Sequence, residues 1–255
     1  MAAPIVHMFP CLKDNYGFLL HDPATGETAT IDTPEAGKIL AEAAAKGWTI
    51  TQIWNTHWHP DHAGGNAEIV AATGAKVYGP EEVAKAAKRP DSVLHEGDTV
   101  QLGAIAAHII DTPGHTLGHI VYHLPDHGIA FVGDTLFALG CGRLFEGTPT
   151  QMWDSLGKLR VLPDDTTVYC AHEYTASNAA FALSVDGANA DLLAYAEGVK
   201  AKRANDQPTV PTTIGAEKRA NPFLRADDPK LQAFVGHPGD AIATFAEVRE
   251  RKNTF

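Results

Sequence analysis

What the chain lacks narrows the reading first. Cysteine is scarce: Cys11, Cys141 and Cys170 are odd in number and far apart. That argues against a disulfide framework, fits a reducing compartment and offers no paired spacing for a structural zinc site. No apolar run approaches the roughly 20 residues of a membrane helix, so no membrane partner is expected. Met1 to Pro10 has no basic stretch followed by an apolar one, so no secretory signal is expected and the expected location is cytoplasmic. Positive charge is in deficit. Twenty Lys and Arg stand against 31 Asp and Glu, a formal net charge of −11, without any basic run. Nucleic acid is disfavoured as a partner, because neutralising phosphates needs clustered Lys and Arg. A small local basic pocket for an anionic substrate is still compatible with this balance.

What is present is a globular composition. The chain has 255 residues and 44% hydrophobic content, enough for a sizeable core in one large domain or one domain with a small addition. Short strands are predicted at 5–9, 16–21, 28–32, 52–56, 75–78, 106–111, 119–124, 129–133 and 167–171, with Gly26 in a hairpin turn. Helices are predicted at 35–46, 65–73, 81–88 and 151–160. After His172 the character changes to helix-like segments at 176–183, 190–203 and 240–252. A polar, Pro-bearing connection spans 205–222, and no further strand is convincing. The chain therefore divides near residue 174 into a mixed part, 1–174, and a helical part, 175–255.

The chemistry concentrates in Thr56-His57-Trp58-His59-Pro60-Asp61-His62, four potential metal ligands in six positions. In an extended segment residues i and i+2 face the same side, so His57 and His59 can reach one metal. Asp61 and His62 need a turn to redirect them toward a second, and Gly64 and Gly65 supply backbone freedom for it. Three later candidates, His115, Asp134 and His172, each sit just past a β-prone run, where a rigid scaffold can hold a side chain. A lone histidine is usually a surface or hydrogen-bonded residue. The later three gain weight only beside the cluster, and His119 reads as a buried structural histidine.

The HxHxDH pattern resembles the metallo-β-lactamase superfamily. Thr112 to Thr116, Gly133 to Phe137, Ala171 to Thr175, Gly142 to Thr148 and Asn221 to Arg225 resemble its glyoxalase II branch, the hydroxyacylglutathione hydrolases. So does the basic C-terminal segment ending Lys252-Asn253-Thr254-Phe255. The resemblance implies an α/β fold, a four-layered αββα sandwich followed by a helical domain. It implies two divalent metal ions per chain, zinc first, with iron and manganese as alternatives. His57, His59 and His115 would hold one ion, Asp61, His62 and His172 the other, and Asp134 would bridge them. Asp61 and Asp134 are the expected catalytic carboxylates. Two ions of this kind lower the pKa of bound water to about 7 and supply a hydroxide to attack a thioester carbonyl.

The implied reaction is hydrolysis of S-(2-hydroxyacyl)glutathione, chiefly S-D-lactoylglutathione, to D-lactate and glutathione, the second step of methylglyoxal detoxification. Arg143, Tyr174, Arg249 and Lys252 match positions that contact glutathione in the family, and a monomer is expected. Two departures stand out: Phe145 replaces a common aromatic hydroxyl, and Ala171 replaces a common glycine. Competing readings are an iron-dependent persulfide dioxygenase, a lactonase or β-lactamase on the same scaffold, and a non-catalytic module.

Overall fold

Alternation of apolar residues builds the first of two compact units, which takes the chain up to Asp111 and then Gly118–Gly133. The computed structural model describes residues 3–255. Strands β1 (Ile5–Cys11), β2 (Asn15–His21) and β3 (Glu27–Ile31) run antiparallel in succession. Gly26, at φ +80°, closes the turn before β3. Helix α1 (Ala36–Ala45) then crosses to β4 (Thr49–Trp54), parallel to β3. The single turn α2 (Pro60–Ala63), helix α3 (Asn66–Thr73), β5 (Lys76–Gly79) and β6 (Ser92–Val93) complete a six-stranded sheet in chain order. Four further strands, β7 (Thr99–Leu102), β8 (Ile105–Asp111), β9 (Ile120–Leu124) and β10 (Ile129–Gly133), form an antiparallel meander.

Successive residues of each strand serve opposite faces. Leu19, Ile50, Ile53 and Val77 pack with Ile39 and Ala43 of α1 and Ile69 of α3. On the other face Trp54 stacks on Tyr122 at 5.1 Å, and Phe18 meets Phe131 at 5.7 Å. The unit is thus layered helix, sheet, sheet, with the strand ends free to carry loops.

The second unit comprises Thr112–Leu117 and Asp134–Phe255. It opens with a two-residue-strand hairpin, β11 (Leu136–Phe137) and β12 (Gly140–Cys141), followed by helix α4 (Pro149–Arg160). Strand β13 (Thr167–Cys170) pairs antiparallel with the short β14 (Thr212–Thr213). Helices α5 (Thr175–Asp186), α6 (Ala190–Arg203), α7 (Ile214–Ala220), α8 (Pro229–Val235) and α9 (Ala241–Thr254) supply the rest. Phe223 lies 6.0 Å from both Phe181 and Phe245, so three rings form one buried seam. Among the described residues no helix is long and apolar enough to cross a membrane.

Three expectations need correction. The helix predicted at 81–88 is only a 3₁₀ turn, Glu81–Lys85; Pro90 disfavours helical backbone at Arg89, and 3₁₀ runs are short. The connection 205–222 contains β14 and α7, so a further strand does follow residue 172. Gly64 and Gly65 have ordinary right-handed φ values of −64° and −83°. They provide space rather than conformational freedom: a Cβ on Gly65 would lie 2.6 Å from the Thr33 carbonyl oxygen.

Candidate metal centre

In the first unit the segment with four expected ligands leaves the end of β4. His57 and His59 precede α2, and their Nε2 and Nδ1 atoms are 3.0 Å apart. Pro60 opens α2, a position where its missing N–H has no helical partner to lose. That one turn supplies the redirection anticipated for Asp61 and His62. Asp61 Oδ2 lies 3.5 Å from His62 Nε2 and accepts a hydrogen bond from Asn15 Nδ2 at 3.0 Å. His57 pairs with both His59 and His62, and Asp61 with His62, through ligand atoms within 4.8 Å of one another.

One buried carboxylate organises these imidazoles. Asp32 follows β3 directly, with φ +57°. Its Oδ1 accepts the Thr56 N–H at 2.7 Å, and its Oδ2 accepts the Thr56 hydroxyl at 2.8 Å. The Thr56 proton is thereby committed, so Thr56 Oγ1 accepts from His57 Nδ1 at 3.0 Å. Asp32 Oδ2 also accepts from His62 Nδ1 at 2.8 Å. Both imidazoles are therefore fixed with Nε2 as the lone-pair nitrogen, the arrangement that metal-binding histidines use. His119 is fully buried and stacks on His57 at 4.8 Å.

The second unit brings together His115, Asp134 and His172. A backbone carbonyl can only accept, so the 2.8 Å bond from His115 Nδ1 to Arg143 O leaves the lone pair on Nε2. That nitrogen is 3.4 Å from Asp134 Oδ2, while His172 Nε2 is 3.4 Å from Asp134 Oδ1. One carboxylate thus turns an oxygen toward each of two imidazoles, as a bridging ligand must. Imidazole nitrogens of fixed tautomer and a two-sided carboxylate suit divalent ions of intermediate softness. Gly142 is required nearby, because a Cβ there would collide with the Asp134 carbonyl oxygen.

The same unit encloses a cavity of about 500 Å³ whose wall includes His115, Asp134, Arg143, Tyr174, Arg249 and Lys252. All four expected substrate contacts therefore share one wall with two expected ligands. Tyr174 lies flat on His172, with ring centroids 4.7 Å apart. Arg249 is 5% exposed and donates from Nη1 to Cys141 O at 2.9 Å. Lys252 Nζ donates to Ser177 O at 3.1 Å and Ser177 Oγ at 3.0 Å. Partial burial, and then the charges of Arg249 and Arg143, bring the Lys252 ammonium pKa down to about 8. Phe145 is 63% exposed, with its ring 5.3 Å from His115.

Sequence reasoning missed Asp32, Thr56, Asn15 and Cys141. Asp32 carried the signal that picked out Asp134, an acid just past a strand. Asn15 and Cys141 had no comparable mark.

Residues 17–172 match the profile of the metallo-beta-lactamase superfamily, and residues 173–255 match the hydroxyacylglutathione hydrolase C-terminus. A hydroxyacylglutathione hydrolase of Erythrobacter litoralis is 61% identical over 98% of this chain and 99% of that protein. The chain belongs to the hydroxyacylglutathione hydrolase family. A second such hydrolase, from Maricaulis maris, is 59% identical over the full length of both. Among solved structures, ETHE1 from Myxococcus xanthus superposes with a TM-score of 0.71 at 27% identity, covering 98% of this chain and 91% of that one. TTHA1623 in a di-iron-bound form gives 0.62 at 25% identity, covering 86% and 100%. The chain is accordingly a hydrolase whose fold, of the α/β class, is that of the metallo-β-lactamases with a C-terminal helical domain, and its His/Asp clusters suit divalent metal ions.

Proposed function

We propose that the protein hydrolyses S-(2-hydroxyacyl)glutathione, chiefly S-D-lactoylglutathione, releasing D-lactate and glutathione in methylglyoxal detoxification. It acts in the cytoplasm as a monomer, with residues 1–174 carrying the chemistry and 175–255 serving substrate binding. The observation that carries this reading is the shared wall of the cavity: His115 and Asp134 line it together with Arg143, Arg249 and Lys252. A glutathionyl group bears carboxylates, and the Arg143 and Lys252 cations, beside expected ligand residues and backed by Arg249, can hold them next to the reacting thioester.

Two zinc ions are the proposed cofactor, and the ligand set would accept iron or manganese too. His57, His59 and His115 would hold one ion, and Asp61, His62 and His172 the other, with Asp134 between them. When bound, such ions activate water and polarise a carbonyl. The protein's own groups do the rest. Asp32 keeps His57 and His62 in the ligating tautomer. Asn15 steadies one oxygen of Asp61, whose carboxylate orients the attacking water. Arg143 and Lys252 hold the glutathionyl carboxylates, Arg249 shapes the wall through Cys141, and Tyr174 offers a ring face. The leaving thiolate needs no strong acid, because thiols ionise near pH 8.5.

The deciding assay follows thiol release by metal-loaded protein from S-D-lactoylglutathione and from a thioester lacking glutathione. Cleavage of only the second would overturn the substrate, and oxygen uptake with a glutathione persulfide would favour the dioxygenase alternative. For Asp61, Asp61→Asn should retain metal yet lose most turnover. Full turnover with both metals present would remove its orienting role.

A further inference from the structure

The Asn221-to-Arg225 stretch has no part in the chemistry described so far. Its first side chain is nevertheless fully buried and reaches a backbone segment that matters. The β11–β12 hairpin begins just after Asp134 and ends just before Arg143, so it joins an expected metal ligand to an expected substrate contact. Its entry is fixed by Thr135, whose hydroxyl donates to Thr112 Oγ1 at 2.8 Å and whose carbonyl accepts from Gly142 N at 3.3 Å. Its tip and exit are fixed by the helices of the same unit.

Asn221 Nδ2 approaches Phe137 O at 3.2 Å, Gly140 O at 2.9 Å and Glu217 Oε2 at 2.9 Å. Glu217 Oε2 accepts the Leu139 N–H at 2.8 Å, and Asn178 Nδ2 donates to Ala138 O at 3.1 Å. Each residue from Phe137 to Gly140 therefore has a main-chain group bonded to a side chain of α5, of α7 or of Asn221, which caps α7. Leu139 needs that support, because its φ of +57° is unfavourable for a leucine. Its side chain plugs a pocket of Ala179, Ala182, Leu192 and Ala220. Glu217 is fully buried; burial pushes its carboxyl pKa up, while bonds from Thr212, Leu139, Asn221 and Tyr195 favour the anion. At the exit, Arg249 grips Cys141 O while its guanidinium lies 5.1 Å from the Phe223 ring centre. Phe223 is itself held, through its N–H, by Asn221 Oδ1 at 3.0 Å.

We infer that Asn221 and Glu217 are positioning residues for glutathionyl recognition: they lock the hairpin tip so that its exit strand presents Arg143 to the cavity and Cys141 to Arg249. The entry, next to Asp134, has its own anchor at Thr135, and the exit meets the expected ligands through the Arg143 carbonyl that accepts from His115 Nδ1, so the larger effect falls on substrate affinity and the smaller on metal retention. This inference rests on the reading of Arg143 and Arg249 as part of the glutathione site.

Asn221→Asp tests it with almost no change in volume. The variant loses both N–H donors and sets a carboxylate against two carbonyls and Glu217. Holoenzyme should be assayed well below its melting temperature. KM for S-D-lactoylglutathione and Kd for glutathione should rise together by about tenfold, the scale of a lost hydrogen bond to a charged group. Metal content and kcat should stay within about twofold, the resolution of such a comparison. A lower melting temperature with unchanged KM and Kd would mean a purely structural residue and overturn the inference. So would a fall in kcat or metal content at constant KM. If Asn221→Asp does not fold, Glu217→Gln decides by the same criteria, since it keeps the volume and sets an NH₂ group against donors that the carboxylate accepts. Arg143→Ala separates the two levels of argument. If it leaves KM unchanged, the glutathione reading of Arg143 fails. If it raises KM while the hairpin variants do not, the positioning role fails.

Discussion

Single side chains at this centre are controlled by what stands behind them. Asp32 sets the tautomer of His57 through Thr56 and that of His62 directly, with all four contacts between 2.7 and 3.0 Å. Asp32→Asn would swap one acceptor oxygen for an NH₂ group facing donors. Outer-shell changes of this kind cost about 10- to 100-fold in metal affinity or activity. Purified Asp32→Asn protein should therefore lose metal to a chelator at a concentration the parent resists, as read by elemental analysis. Equal retention would show that the ligand loop holds its imidazoles without help.

Lys252 makes a different prediction, set by its pKa of about 8. The side chain is cationic below that pH and neutral above it, so its attraction for a carboxylate fades as pH rises through 8. KM should climb between pH 8 and 9.5, while Lys252→Arg, charged throughout, should flatten the climb. An identical rise in both proteins would assign the titration elsewhere.

At the scale of elements, α4 shows how local chemistry sets a boundary. Thr148 accepts the Gln151 N–H, the Gln151 side chain returns to the Thr148 N–H, and Pro149 occupies the first turn. Thr148→Ala should cost about 1 kcal/mol, the usual worth of such a cap. A lower denaturation midpoint with unchanged kcat/KM would bear this out; a matching loss of activity would show that α4 also controls the ligand loop through the 2.8 Å bond from Ser155 Oγ to Pro113 O.

The same cap explains why the helix was predicted at 151–160 and begins at Pro149: periodicity marks the buried residues Met152, Leu156 and Leu159, whereas the start depends on a reciprocal hydrogen bond. Helix α1 was legible as an Ala-rich run. The hairpin β11–β12 was not, because two-residue strands have no period and Leu139 carries no glycine-like signal for its left-handed backbone. The expected ligands stood out as residue types at characteristic spacing. Their supports did not, since Asn15 and Asp61 are 46 positions apart and Asn221 and Gly140 are 81 apart.

For the whole molecule the question is how a chain of net charge −11 recruits an anion. Coulomb repulsion from the acidic surface is long-ranged, and at about 0.1 M salt it is screened beyond about 10 Å. The cations of Arg143, Arg249 and Lys252 lie on the cavity wall itself. Salt should therefore act in two regimes. Below about 0.05 M, added salt first suppresses the general repulsion, and kcat/KM should hold steady or rise. Above about 0.1 M, further salt weakens the local pairing, and KM should increase without a change in kcat. Lys252→Met should begin with a higher KM and respond less steeply to sodium chloride from 0.1 to 1 M, because one of the screened contacts is already gone. A parallel response in parent and variant would place the salt-sensitive step outside this wall.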